Sequence, residues 1–234
     1  MTPLVPADVE PVQTFDIPSI VAFTTTRERG DFNVIGDKPA GEVVAHWLDL
    51  QQELGVARFA YAKQVHGRRV VVHNEAWSGW LRVADADGHL AFAPGTALAV
   101  TLADCVPVFL AHPSGVAGLL HAGWRGIAGG IVDQAADDLA TNGVSIADCD
   151  AHLGPAICGK CYEVGPEVIR AIRGDVVHEP TLLDLRDVLG KQLERLGVRR
   201  ISISKLCTRC HNERFFSHRA GDAGRHIAVI ARIA

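Results

Sequence analysis

Apolar and β-branched residues fall in short runs along this chain, and their spacing separates strands from helices. Residues 19–26 (SIVAFTTT) predict a strand that ends at Arg27. Residues 42–54 (EVVAHWLDLQQEL) place apolar side chains at helical spacing and stop at Gly55, which predicts an amphipathic helix. Between them lies a loop rich in Gly, Asp and Lys. Short strands are predicted over 57–63, 68–73, 97–102, 106–111 and 116–120, each punctuated by Gly, Pro or Asp. Helical periodicity returns over 127–139 and 182–196, and late strands are predicted over 198–204 and 226–233. Residues 1–18 read as an irregular lead-in. The expected fold is α/β (α+β): a single domain over 19–234, with a mixed central β-sheet core and packed helices.

Composition narrows the partners. Among 234 residues, 23 basic and 27 acidic side chains leave a formal net charge of -4, so no electrostatic attraction to nucleic acid or anionic membrane is expected. The first twenty residues hold three acids, four prolines and no basic side chain, unlike a signal peptide, which points to the cytoplasm. The most apolar stretch, 97–120, is broken by Asp104, Pro107, His112 and Pro113, so no membrane span is expected. In a reducing compartment the six cysteines read as ligands, nucleophiles or buried small hydrophobes rather than disulfides. A monomer or a small homo-oligomer is expected.

Three segments place a metal-ligand side chain beside glycine or charge: KQVHG at 63–67, LADC at 102–105 and HAGWRG at 121–126. Cys105 and His121 flank a hairpin-like pair of predicted strands, which brings them to one sheet edge. Taken singly, a strand-end Cys is most often a small hydrophobe and a lone His a hydrogen-bonded surface residue. Together with His66 they make a Cys/His/His set, which suits a catalytic zinc that keeps its fourth position for water. Zinc would bring that water's pKa near neutrality. HAGWRG runs into a predicted helix, where backbone N–H groups and the Arg125 fork offer a phosphate dock; equally, its glycines serve turn and packing. Gln64 and Asp104 neighbour the ligands and either orient them or make ordinary strand-end hydrogen bonds.

KQVHG, TLADCVPVFL, LLHAGWRG, LGPAICGKCYEVG, then CTRC, RFFSHR and GRH, resemble the ordered motifs of the YfiH, or laccase-domain, family over residues 20–232. Members were long labelled polyphenol oxidases or multicopper oxidoreductases and are better described as zinc-dependent purine nucleoside enzymes. The resemblance implies phosphorolysis of adenosine, inosine and methylthioadenosine and deamination of adenosine, with purine nucleoside and inorganic phosphate as partners. It places the metal on His66, Cys105 and His121, and substrate contacts on Arg27, Asn33, Phe216 and Arg219. The segment after Arg27 is shorter than in relatives and lacks their longer insertion. A multicopper centre needs roughly ten His ligands in HxH-type pairs. This chain has 11 His and no such pair, so any copper binding is expected to be adventitious.

Two other chemistries fit the same residues. A zinc site also suits amide hydrolysis, as in editing of peptidoglycan precursors, an activity associated with some bacterial relatives. Cys105 as nucleophile with His121 as base meets the minimum for a metal-free hydrolase. Cys158/Cys161 and Cys207/Cys210 form a CxxC…CxxC pattern suited to a four-thiolate zinc, but the pairs lie far apart. The resemblance accounts for Cys161 and Cys207 without a second metal, so Cys210→Ser is expected to leave zinc content nearly unchanged.

Overall fold

The computed structural model describes residues 5–75 and 77–233. Two six-stranded sheets form its centre. The first runs in the order β1 (Val9–Pro11), β2 (Ile20–Thr25), β14 (His226–Arg232), β7 (Thr96–Leu102), β3 (Arg58–Ala62) and β5 (Gly79–Val83). The second runs β13 (Arg200–Ile203), β10 (Asp150–Leu153), β8 (Val106–Ala111), β9 (Ala117–Ala122), β6 (Gly88–Ala91) and β4 (Val70–His73). Both sheets are mixed: β3 runs parallel to β5 and β7, and β10 to β13, while the β14–β7 and β8–β9 ladders are antiparallel.

Every residue of β2, β8 and β9 is buried. These strands therefore read as continuous apolar runs, because each face of each sheet is covered. Alternate residues of the central strands divide between layers. Leu98, Val100 and Ile230 meet Phe109 and Leu119 between the sheets. Ala97, Ala99, Ile227 and Val229 face the other way, onto Val43, Trp47 and Leu50 of α1 (Ala40–Leu54). The outer face of the second sheet packs Val108, Leu110 and Leu120 against α2 (Trp124–Ala128), α3 (Ile131–Thr141), α4 (Pro166–Arg173) and α5 (Leu185–Arg195). The result is four layers, helix on sheet on sheet on helices.

Several boundaries depart from the sequence expectation. The lead-in contains β1, paired antiparallel with β2, because Val9 to Pro11 can cap the open edge of the first sheet. The expected mixed β-sheet core is built from two sheets. The helix expected over 127–139 is two helices, since Gly130 adopts a left-handed φ of 80° that breaks the ladder. The helix expected from 182 begins at Leu185, where the Asp184 side chain accepts the Arg186 N–H as its N-cap. β5, β6, β10 and α4 were not expected: β6 reads GHLA, four residues without β-branched character. β11 (Glu163–Val164) and β12 (Thr181–Leu182) close a small hairpin beside α4. Among the described residues, no helix is long and apolar enough to cross a membrane.

Candidate functional site

The β8–β9 hairpin fixes the first two donors. Cys105 immediately precedes β8, and His121 lies in β9 opposite Pro107, so the two sit across adjacent strands. His66 comes from the turn after β3, at a positive φ of 57° that a non-glycine residue adopts only when its surroundings hold it there. What holds it is Asp87. This carboxylate accepts the backbone N–H groups of Val65, His66 and Gly67 at 3.1, 2.9 and 2.7 Å. It also bonds His121 Nδ1 at 2.8 Å and is fully buried. One side chain thus sets both the His66 turn and the His121 ring, leaving Nε2 of His121 free to face the site.

Donor atoms of His66, Cys105 and His121 all lie within 4.8 Å of one another. The packing is close: a Cβ on Gly123 would lie 3.1 Å from both the Cys105 sulfur and the His66 ring, so both would have to give by a few tenths of an ångström. Burial pushes the Cys105 thiol up, but His121 and His66 outweigh it and bring it down to about 6. Burial would lower His121; the Cys105 thiolate and the Asp87 carboxylate overcome this and raise it to about 9. Both shifts favour a thiolate–imidazolium pair in the metal-free site. In protein stripped of metal, Cys105 should be alkylated by iodoacetamide at a rate that holds through neutral pH and falls as pH drops through about 6. Peptide-resolved mass spectrometry checks this; an ordinary midpoint near about 8.5 would contradict the pairing.

These donors open onto a cavity of about 630 Å³, within the ~300–1,000 Å³ typical of small-molecule sites. Of the residues singled out in the sequence, Asn33, Gln64, Asp104, Arg125 and Arg219 line it. Four of them are bonded to the surrounding fold: Asn33 donates to the Ala223 carbonyl and Arg219 to the Glu163 carbonyl, each at 2.9 Å. The Gln64 amide bonds the backbone N–H and C=O of Thr101 at 2.7 and 2.8 Å. Asp104, in a left-handed conformation, accepts Thr208 Oγ1 at 2.6 Å and the Arg219 N–H at 2.8 Å. Arg125 stacks on Trp124, 4.4 Å from its ring centre, and forms no ion pair among the described residues.

Arg27 and Phe216, expected as substrate contacts, are not among the residues that line the cavity. The Arg27 guanidinium lies 4.3 Å from the centre of the Phe216 ring, bonds the carbonyls of Asn212 and Phe215 at 2.6 and 3.0 Å, and pairs with Asp222. Phe216 stacks on His226. Both residues brace the C-terminal segment. Sequence reasoning missed Asp87, Tyr162, Arg82 and Arg225, the last three lining the cavity. Asp87 sits in VADADGH, where only its place just before a strand distinguished it from surface acids. The helix start expected at Ile127 is a five-residue helix beginning at Trp124, so Arg125 lies inside its first turn rather than ahead of it.

The two CxxC pairs, set aside because they lie far apart in the chain, converge: the sulfurs of Cys158, Cys161, Cys207 and Cys210 also lie within 4.8 Å of one another. Parallel pairing of β10 with β13 carries the two segments to one place. The two clusters are the groups of three or more ligand-type side chains found among the described residues. Neither resembles the histidine-rich centres of a multicopper oxidase.

Residues 29–233 match the family described as multi-copper polyphenol oxidoreductase laccase. The chain belongs to that family. It is 41% identical over 204 residues to a purine nucleoside phosphorylase of Streptomyces coelicolor, covering 82% of each chain. It is 30% identical over 235 residues to adenosine deaminase RL5 of an unknown prokaryotic organism, covering 87% of this chain and 89% of that one. The crystal structure of YlmD from Geobacillus stearothermophilus superposes with a TM-score of 0.86 at 29% identity, over 95% of this chain and 94% of that chain. The laccase-domain family and the mixed α/β fold are thereby shared with these proteins.

Proposed function

We propose that a purine nucleoside binds in this cavity beside a zinc ion held by His66, Cys105 and His121, and that the enzyme deaminates adenosine and cleaves purine nucleosides with phosphate. The observation that carries this reading is the convergence of two imidazoles and one thiolate on the floor of a nucleoside-sized cavity. The donor set fits zinc: one thiolate already favoured over its thiol, and one imidazole aimed through its far nitrogen by a buried carboxylate. When bound, zinc supplies a Lewis acid that brings the pKa of a coordinated water near neutrality.

The chain's own residues set what happens around it. In deamination the oxygen of water bonds to C6 of adenine while the bond from C6 to the exocyclic amino nitrogen breaks; one proton of the water leaves with that nitrogen as ammonia and the other stays on the purine ring. In phosphorolysis a phosphate oxygen bonds to the ribose C1′ as the C1′–N9 pair goes to the purine, which takes up a proton. Arg82, Arg125, Arg219 and Arg225 line the cavity together with Lys63, which pairs with Asp85, and they outnumber its carboxylate, Asp104, an excess of positive charge suited to phosphate. Arg125, fixed by its stack on Trp124 and free of an acidic partner among the described residues, is the phosphate fork. A cytoplasmic location suits a thiolate that must stay reduced.

Arg125→Ala is expected to remove a charge-assisted contact of about 1.5–3 kcal/mol, roughly a 10- to 150-fold loss in phosphorolysis, with a smaller loss in deamination. Assays of adenosine and inosine with and without phosphate separate the two; equal losses would remove Arg125 from the phosphate role. A second reading, a cysteine hydrolase, draws on the Cys105–His121 ion pair.

A further inference from the structure

The four cysteines outside the cavity form a second built site. Cys158 and Cys161 flank Gly159–Lys160 in the loop after β10, and Cys207 and Cys210 flank Thr208–Arg209 in the loop after β13. Their sulfurs lie within 4.8 Å of one another, with Cys161 and Cys210 at 3.5 Å. A tetrahedron of thiolates about 2.3 Å from zinc has edges of about 3.8 Å, so the cluster has the size of such a shell. A disulfide would need about 2.05 Å.

Both loops are held in place by bonds that do not involve the sulfurs. Asp184 accepts the Gly159 N–H at 3.0 Å, and its neighbour on α5, Arg186, donates to the carbonyls of Ser204 and Leu206 at 2.7 and 3.0 Å, just ahead of Cys207. Asp184 and Arg186 are themselves paired, so one ion pair straps both CxxC segments. The Cys207 sulfur accepts the backbone N–H of Cys158 at 3.3 Å and of Cys210 at 3.4 Å. Backbone N–H groups aimed at a sulfur favour its thiolate. Lys160 and Arg209, one inside each pair, offset the charge of about -2 that four thiolates leave on a divalent ion.

We propose that Cys158, Cys161, Cys207 and Cys210 bind a structural zinc ion, distinct from the His66–Cys105–His121 centre. On binding, the thiols still protonated release their protons to water, and no electron is exchanged. The ion ties the loop leading to Tyr162 to the loop carrying Thr208, whose hydroxyl bonds Asp104 at 2.6 Å beside Cys105. It thereby braces the wall of the cavity without touching substrate. This reverses the expectation that Cys210→Ser leaves zinc unchanged, because the fold supplies the proximity that spacing along the chain does not.

Metal analysis of the full chain, purified with reductant and without chelator, tests the site. The Cys158→Ser/Cys210→Ser variant should hold one zinc equivalent per chain fewer than the unmodified protein and melt at lower temperature. The His66→Ala/His121→Ala variant should keep one equivalent, whose X-ray absorption shell is four sulfurs at about 2.3 Å. That second variant leaves all four cysteines intact, so it reads the site even where the first does not fold. Equal zinc in the unmodified and cysteine-substituted proteins would overturn the proposal. So would a mixed nitrogen and sulfur shell, no zinc in the histidine variant, or mass spectra showing the four cysteines as two disulfides. The losses are counted site by site, so failure of the active-site zinc leaves the four-cysteine result readable.

Discussion

His121→Ala is expected to strip zinc from the active site and to lower adenosine deamination by about 10³-fold or more. The imidazole is one of three donors, it is buried, and its Nδ1 is anchored to Asp87. Two remaining protein donors cannot hold the ion in the open tetrahedral arrangement that a catalytic site needs. Loss of the ion forfeits several kcal/mol of transition-state stabilisation, and each 1.36 kcal/mol is tenfold in rate. Metal content and deamination measured on the same preparation check the result. Deamination near the unmodified rate with the site's zinc gone would separate the metal from the chemistry. Cys105→Ala gives the same loss in rate under both the zinc and the cysteine-nucleophile readings, so His121→Ala is informative only when metal is counted beside it.

Asp87→Ala should have the second largest effect although this residue touches no substrate. The carboxylate is fully buried and accepts three backbone N–H groups as well as the His121 ring. Burial alone would raise its pKa, but His121 and the N–H groups of Gly67 and Val65 hold it below the ordinary carboxylate range. A depressed folded-state pKa means that its contribution to stability is present above the unfolded carboxylate pKa and is lost as pH falls below it. Removing the side chain leaves buried donors unsatisfied, at a cost of about 3–5 kcal/mol, and weakens zinc affinity by roughly 10- to 100-fold. Asp87→Asn preserves shape but loses the charge. It should fall between the unmodified protein and Asp87→Ala in a zinc titration followed by thermal melting. Unchanged zinc affinity in Asp87→Asn and Asp87→Ala would remove Asp87 from its positioning role.

How far the sequence revealed this site depends on how local each signal was. The run VPVFLA is apolar throughout, and it became β8 with the expected bounds because both its faces are buried. The same hairpin carried Cys105 and His121 together, so two donors were legible from one local pattern. His66 is brought to them by the turn that Asp87 organises, 21 residues further along, and an acid in DADG carries no periodic mark of that task. Motif order fixes the position of Arg27 and Phe216 along the chain and not which way their side chains point; they stack on each other and do not line the cavity. The cysteine pairs, 49 residues apart, meet only through a parallel strand pairing that the sequence did not show. Helix 127–139 failed at Gly129–Gly130, where the periodic pattern continues but the backbone turns.

The most direct test of the zinc mechanism is to remove metal from the full chain with a chelator, assay adenosine deamination, and return zinc in measured equivalents. The predicted result is that activity disappears with the metal and returns in step with zinc, and that blocking Cys105 with iodoacetamide in the metal-free state prevents the return. Metal-free protein that keeps its full rate, and loses it only when Cys105 is alkylated, would contradict the account and assign the chemistry to a thiolate nucleophile paired with His121.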